Sequence, residues 1–253
     1  MADRSAIEWT EATWNPVSGC SKVSPGCAHC YAETISLRFR HSLKPWTPEN
    51  AKENVRLHEG RIDQPLRWRR PRLVFVNSMS DLFHEEVPFE FVDRVWNVMT
   101  EASHHTFQVL TKRPEIASKW ATHYLAEHGS LGANVWLGVS IENSRYTFRA
   151  DVLRTIPATV HFISAEPLLG SLYASGTNRR PLDLTGIDWL IAGGESGARS
   201  RPVDVRWVRE LRDGCRDAGV AFFFKQWGGR TAKAGGRELD GRIFDEMPRA
   251  ATG

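Results

Sequence analysis

The chain has 253 residues, of which 41% are hydrophobic and 25% charged, and this length and composition suit one α/β domain with a substantial core. No run of about 18 apolar residues is present, so the sequence predicts no membrane span and no membrane partner. Residues 1–5 are polar and lack the apolar stretch of a signal peptide, so we expect a cytoplasmic protein. A net charge of +3 is too small to indicate a nucleic-acid partner by itself.

Short apolar runs recur along the chain, beginning with an early candidate strand at residues 12–15. Such nearly continuous runs are typical of strands that are covered on both faces, as in a parallel sheet. The later runs are Leu73–Val76, Phe107–Leu110, Val135–Val139, Val160–Ile163, Trp189–Ala192 and Val220–Phe224.

Helical patterns lie between several of these runs, most clearly over residues 89–103 and 205–215. The second is predicted to stop at Gly219, and Cys215 lies on its apolar stripe, which predicts a core residue rather than a ligand. Alternating strands and helices form βαβ units. The predicted fold class is therefore α/β, a single-domain full or partial (β/α) barrel.

We place the barrel domain at residues 1–230, with an insertion or long helical crossover near residues 40–72 and an irregular tail at residues 231–253. The insertion is rich in Pro, Arg and Lys. It ends in a basic segment, Arg67–Arg72, that contains Trp68. Guanidinium groups beside an aromatic ring can bind phosphates and stack on bases, although a solvated basic loop has the same composition.

Polar side chains follow the predicted strands where each apolar run ends. In a parallel barrel these positions gather at one mouth, where the chemistry takes place. At the ends of six predicted strands the sequence changes abruptly from apolar to polar residues. Together these positions predict a polar pocket, with Glu166 and Glu195 as candidate catalytic groups. The polar runs after the other strands include Ser80, Asp81, Lys112 and Ser140.

Three of the four cysteines lie close together, as Cys20, Cys27 and Cys30 in a C-x6-C-x2-C pattern after the first strand. A tight triplet in a cytoplasmic chain indicates a metal or redox centre rather than disulfides. Three thiolates can hold a [4Fe–4S] cluster and leave one iron open to a further ligand. The alternatives are a structural zinc site that would use His29 as fourth ligand, and free reactive thiols.

The segment from Thr13-Trp14-Asn15-Pro16 through Cys30-Tyr31-Ala32 resembles the cluster loop of radical S-adenosylmethionine (SAM) enzymes. The whole chain resembles the phage-associated three-cysteine-motif family and is similar to spore photoproduct lyase. The resemblance implies the radical-SAM type of (β/α) barrel, a [4Fe–4S] cluster and SAM. The commonest radical-SAM spacing is C-x3-C-x2-C, so this chain carries three extra residues in the first gap.

The resemblance also assigns roles to four of the strand-end residues. It implies that Ser80 and Asp81, Lys112 and Ser140 hold the methionyl group of SAM. Asp81 would accept from the SAM amino group and Lys112 would pair with the SAM carboxylate.

Our leading hypothesis from the sequence is a radical-SAM enzyme that acts on nucleic acid, in DNA repair or modification. A second hypothesis is a radical-SAM enzyme acting on a peptide or small metabolite. A third is a non-catalytic, metal-stabilised nucleic-acid-binding protein. The resemblance further implies a reductase or other electron donor as partner, and a methyltransferase-like three-Cys-motif partner protein.

Overall fold

The structure is a computed structural model, and it describes residue 5 and residues 7–177, 180–231 and 234–248. The helices within these residues are α1 (Tyr31–Arg38), α2 (Ala51–Asn54), α3 (Phe89–Glu101), α4 (Pro114–His128), α5 (Phe148–Leu153) and α6 (Val205–Ala218). The strands there are β1 (Ala12–Trp14), β2 (Val17–Ser18), β3 (Arg56–Leu57), β4 (Leu73–Val76), β5 (Thr106–Thr111), β6 (Val135–Ser140), β7 (His161–Ala165), β8 (Trp189–Gly193), β9 (Ala221–Gln226), β10 (Glu238–Leu239) and β11 (Arg242–Ile243).

Seven strands form one sheet in the order β1-β4-β5-β6-β7-β8-β9. The pairs β1–β4, β4–β5, β7–β8 and β8–β9 are all parallel. Strand order follows chain order, and a helix lies between successive strands from β4 to β9, except between β7 and β8. The predicted α/β class is therefore confirmed, in the partial rather than the full form of the (β/α) barrel.

The predicted strands and helices agree with the structure to within about two residues at each end, a margin usual for such boundaries. Strand β8 is buried at every position, as a strand covered on both faces should be. Helix α6 is capped at its N-terminus by Asp204, whose side chain accepts from the Arg206 amide, and at its C-terminus by Gly219 in the left-handed conformation (φ 71°). Cys215 is buried in this helix, which confirms it as a core residue, and burial raises the pKa of its thiol to about 12.

Two sequence expectations about irregular regions need correction. Residues 40–72 contain no long helical crossover: they form short 3-10 turns, the four-residue helix α2 and strand β3, which pairs with β2. The tail is not wholly irregular, because β10 and β11 pair as an antiparallel hairpin. The Phe224 amide in β9 also donates to the Phe244 carbonyl, so this part of the tail packs back on the sheet.

The chain divides into two compact units. The first comprises Met1–Val23, Cys30–Leu137 and Ile156–Thr159, and the second comprises Ser24–His29, Gly138–Thr155 and Val160–Gly253. In the first unit Trp96 and Trp120 are fully buried, with ring centroids 4.4 Å apart. In the second, Phe162 and Trp189 pack at 5.7 Å. Within the described residues, no helix combines the length and the apolar character needed to cross a membrane.

Gly19, directly before the first cysteine of the triplet, tests how tightly the first unit holds that segment. Its φ is +83°, and a Cβ added there would lie 1.8 Å from the Asn54 carbonyl oxygen. Gly129 has a similar φ of +73° but open space around its Cβ position. We therefore expect Gly129→Ala to cost about 1–2 kcal/mol of unfolding free energy and Gly19→Ala to cost roughly 3 kcal/mol or more.

Chemical denaturation of both variants measures this difference, since they share the backbone strain and differ only in the clash. Equal losses of unfolding free energy in the two variants would show that the backbone around Asn54 moves easily. The position of Gly19 would then not be held tightly by its neighbours.

Candidate metal centre

The three cysteines of the triplet are each half-buried and free of disulfide bonds. Cys20 follows β2, and Cys27 ends a 3-10 turn, Pro25–Cys27. Cys30 is the N-cap residue of α1. Cys20 and Cys30 belong to the first unit and Cys27 to the second, so their surroundings are described unit by unit.

In the first unit the Cys20 sulfur lies beside a buried arginine. The Arg113 Nη1 donates to Cys20 Sγ at 3.6 Å, and the Arg113 side chain is only 4% exposed. Burial alone would lower the pKa of this guanidinium, but Asp81, Cys20 and Glu85 outweigh burial and raise it. Arg113 is therefore a fixed positive charge next to a candidate ligand sulfur.

Asp81, predicted to accept from the SAM amino group, is fully hydrogen-bonded within the protein. Its Oδ1 accepts from the Thr111 hydroxyl (2.8 Å) and the Phe83 amide (3.1 Å). Its Oδ2 accepts from the Lys112 amide (3.0 Å) and from Arg113 Nη1 (3.3 Å). These four bonds use about all the acceptor sites of a carboxylate, so an amine could bind only by displacing one.

The other predicted SAM-binding residues of the first unit differ in how far they are engaged. The Ser80 hydroxyl donates its only proton to the Val17 carbonyl at 2.9 Å, so it can only accept a further hydrogen bond. Lys112 is half-buried at the end of β5, and within the described part of the chain its ammonium has neither an ion pair nor a hydrogen bond. Lys112 therefore carries an uncommitted positive charge at a strand end.

In the second unit, two charged side chains hold the turn that carries Cys27. The Gly26 amide donates to Glu142 Oε1 at 3.3 Å. Arg201 Nη2 donates to the Pro25 carbonyl at 3.0 Å. Glu142 follows β6 and is itself fixed by Arg149 Nη1 at 3.0 Å, a pair that is almost completely buried. The turn is thus anchored on the residues that follow the strands of its own unit.

Glu195, predicted as a catalytic group, is buried and is bound by Arg201 and His29. Its Oε2 accepts from the Arg201 amide and Nε, both at 2.9 Å, and its Oε1 accepts from Arg201 Nη2 at 2.5 Å. The same Oε2 lies 3.0 Å from His29 Nδ1. Burial would raise the pKa of Glu195, but hydrogen bonds from Arg201 and His29 outweigh it and lower the pKa to about 2. Glu195 therefore stays ionised and ties residue 29 of the cysteine loop to β8.

The remaining predicted residues of the second unit are also engaged. Glu166 follows β7 and pairs with Lys225 of β9, Oε1 to Nζ, at 2.5 Å. Ser140 is buried at the end of β6, and its carbonyl accepts from Arg149 at 2.8 Å. Strand ends in this unit therefore carry polar groups, as predicted, but their carboxylates are paired with cations.

Three residues around the cysteines were missed by the sequence analysis: Arg113, Glu142 and Arg201. Arg113 and Glu142 stand at the predicted strand ends, next to residues that were selected, so the signal was present but ambiguous. Arg201 lies eight residues beyond β8, and only the folded loop brings it to Glu195. No pattern in the sequence predicts this contact between Arg201 and Glu195.

Some arginines of the basic segment Arg67–Arg72 already have partners within the protein. Arg67 forms an ion pair with Asp63, and the Arg72 guanidinium lies over the Trp68 ring at 5.4 Å. Arg69 and Arg70 are exposed. The segment precedes β4, whereas Cys20 follows β1 and β2, so in the parallel pair β1–β4 the two lie toward opposite strand ends.

Among the described residues, no three His, Cys, Asp or Glu side chains are gathered closely enough to hold one metal ion. The assignment of Cys20, Cys27 and Cys30 as cluster ligands therefore remains a prediction from the sequence.

The fold and these residues define a class: a parallel α/β protein with a cysteine loop after its first strand and charged groups at its strand ends. The chain belongs to the family described as "Protein of unknown function (DUF5131)", whose model matches residues 4–248. That description states no function, so the three-cysteine-motif and phage associations stay predictions. No curated protein matches the sequence.

Among solved structures, a cysteine-to-serine mutant of spore photoproduct lyase is similar, with 16% sequence identity and a TM-score of 0.43. The similarity covers 77% of this chain and 58% of that one, so the chain spans little more than half of that structure.

The depressed pKa of Glu195 predicts a pH-dependent contribution to stability. Because the folded pKa lies near 2, below the ordinary value of 4.5, ionised Glu195 stabilises the fold above about pH 4.5 and loses this effect as the pH falls toward 2. We expect Glu195→Gln to lower the unfolding free energy by roughly 2–3 kcal/mol at pH 7, and by progressively less below pH 4.5.

Urea denaturation at a series of pH values measures this loss. Glu127→Gln, on the exposed face of α4, is the matched control and should change stability by less than about 0.5 kcal/mol at every pH. A Glu195→Gln loss that is constant down to pH 2.5 would contradict the pairing with Arg201 and His29.

Proposed function

We propose that this protein is an iron–sulfur protein of the radical-SAM kind, with Cys20, Cys27 and Cys30 as ligands of a [4Fe–4S] cluster. The observation that carries the proposal is the C-x6-C-x2-C triplet after the first strand, with one of its sulfurs hydrogen-bonded by a buried arginine. The resemblance of the cysteine loop to radical-SAM enzymes supports the same assignment.

The three thiols are the kind of donor that such a cluster requires. Iron–sulfur clusters are held by cysteine thiolates, and hydrogen bonds to the sulfurs tune them. All three cysteines are half-buried and free of disulfides, in contrast to Cys215 in the core. Three thiolates satisfy three irons, which leaves the fourth iron for an external ligand.

A cluster with SAM on its open iron supplies one-electron cleavage of the sulfonium bond. For this chain, Lys112 is the best-supported SAM contact, because its uncommitted ammonium could pair with the carboxylate of the methionyl group. Ser140 would add a hydrogen bond from its hydroxyl group, and the Ser80 hydroxyl oxygen, whose proton goes to the Val17 carbonyl, would accept one. Asp81 would have to give up one of its four hydrogen bonds to accept from the amine. Of the four proposed SAM contacts, this one therefore needs the largest change in existing hydrogen bonds.

The substrate class that we propose, nucleic acid, has the resemblance and the basic segment as its support. Arg67, Arg69 and Arg70 are exposed there. Arg67 is paired with Asp63, so Arg69 and Arg70 are the guanidiniums that could reach phosphates. A salt-dependent binding assay on DNA and RNA distinguishes this class from a peptide or small metabolite. Iron and sulfide analysis distinguishes both from a zinc-stabilised protein without catalysis.

Replacement of the triplet tests the cluster assignment. We expect anaerobically reconstituted wild-type protein to contain about four iron and four sulfide ions per chain and to be brown. Cys20→Ala, Cys27→Ala and Cys30→Ala should each abolish or strongly reduce this content, because each removes one thiolate ligand. Cys215→Ala is the control and should retain the full content, because its thiol is buried in α6.

Iron and sulfide analysis with visible spectroscopy decides the matter. Wild-type protein that takes up zinc but no iron would favour the zinc alternative. A triple variant that keeps the full metal content would show that the triplet is not a metal site.

Replacement of Lys112 tests the SAM assignment. Loss of a charge-assisted bond worth about 1.5–3 kcal/mol should weaken SAM binding about 10- to 100-fold in Lys112→Ala, measured by calorimetry on cluster-loaded protein. Lys119→Ala, an exposed lysine of α4, should bind SAM as the parent does. Identical affinities in the two variants would remove Lys112 from the SAM site, whatever the cluster content.

A further inference from the structure

We infer that Arg113 is a positioning residue of the proposed cluster, whose guanidinium holds the Cys20 ligand and raises the reduction potential of the bound iron–sulfur centre. The inference rests on the proposed function. It assigns a role to a residue that contacts the ligand sulfur rather than the iron.

The Arg113 guanidinium is fixed because all five of its N–H donors have partners. Nε donates to Glu85 Oε2 at 2.9 Å. Nη2 donates to the carbonyl and the hydroxyl of Ser21, at 3.2 and 3.0 Å. Nη1 donates to Asp81 Oδ2 at 3.3 Å and to Cys20 Sγ at 3.6 Å. A guanidinium has five donors in a rigid fork, so rotation away from the sulfur would break several of the other bonds as well.

The Asp81 carboxylate holds this fork from the interior. Asp81 is buried and receives three further hydrogen bonds, from the Thr111 hydroxyl and the amides of Phe83 and Lys112. A buried charge pair is tolerated only when its remaining polar groups are satisfied, and here they are. Glu85 completes the pairing from the surface, since its side chain is 55% exposed.

The neighbouring histidine contributes a hydrogen bond and no charge. His84 Nδ1 accepts from the Glu86 amide at 3.0 Å, so the ring proton of the neutral form lies on Nε2. From Nε2 it donates to the Ser21 hydroxyl oxygen at 2.9 Å. Burial, and then the charge of Arg113, lower the pKa of His84, in agreement with a neutral ring. Ser21 therefore accepts from His84 and from Arg113, which fixes the residue next to Cys20.

This arrangement acts on a cluster in a defined direction. Reduction adds a negative charge that is shared with the ligand sulfurs, and a hydrogen-bond donor or cation beside a sulfur stabilises that charge. Outer partners of metal ligands also orient them, and their loss weakens metal binding. Arg113 does both, because the same Nη1 contacts Cys20 and Asp81.

The test is a redox titration of reconstituted protein, followed by electron paramagnetic resonance. In Arg113→Gln, the equilibrium constant for one-electron reduction should fall about tenfold, which corresponds to a potential about 59 mV more negative. Arg113→Lys keeps the charge but loses the fork, so it should show a smaller fall in the same direction and is the variant that better preserves the fold. Both should be compared at equal iron and sulfide content.

Glu85→Gln is the matched control. It removes a partner of Arg113 but leaves the bond to Cys20, and loss of a negative charge can only raise the potential. A fall confined to the Arg113 variants therefore cannot come from a generally loosened ion pair.

Cluster-loaded Arg113→Gln and Arg113→Lys proteins that keep the parent potential would overturn the inference. If Arg113→Gln does not fold or load, Arg113→Lys decides. Failure of the wild-type protein itself to take up iron would instead overturn the proposed function, so the two failures are distinguishable.

Discussion

The buried pair of Arg113 and Asp81 is the interaction on which the first unit's part of the candidate site depends. A guanidinium and a carboxylate that are both less than one-tenth exposed must satisfy every donor and acceptor, or the cost of removing them from water is not recovered. That requirement fixes Ser21 beside Cys20, and Thr111 and the Lys112 amide at the end of β5. The position of one cysteine is thus coupled to the ends of two neighbouring strands, β4 and β5.

The second unit also uses charged pairs to position its part of the cysteine loop, but with different residues. Glu195, which is paired with Arg201, holds His29, and Glu142, which is paired with Arg149, holds the backbone of the Cys27 turn. In both units, a carboxylate at a strand end helps to position a cysteine-bearing segment, as Asp81 does through Arg113, and as Glu142 and Glu195 do directly. Polar groups after parallel strands are commonly read as catalytic, but the hydrogen bonds of Asp81, Glu142 and Glu195 hold the cysteine-bearing segments or the arginine beside them.

The sequence predicted the elements that packing dictates and missed those that depend on long-range polar contacts. Strands covered on both faces appear as apolar runs, so β4 and β8 were found almost residue for residue. Cys215 was assigned correctly because a helical stripe marks the core. Arg113 was missed because no local sequence pattern predicts that an arginine at a strand end will point inward and contact Asp81 and Cys20. The hairpin of β10 and β11 was missed because its strands have two residues each.

The most direct test of the central claim is one spectroscopic comparison. Anaerobically reconstituted, chemically reduced wild-type protein should give the electron paramagnetic resonance signal of a one-electron-reduced [4Fe–4S] cluster, and addition of SAM should change that signal, because the open iron gains a ligand. A protein that gives no such signal and contains zinc in place of iron would contradict the account. A signal that SAM leaves unchanged would keep the cluster and remove the radical-SAM assignment.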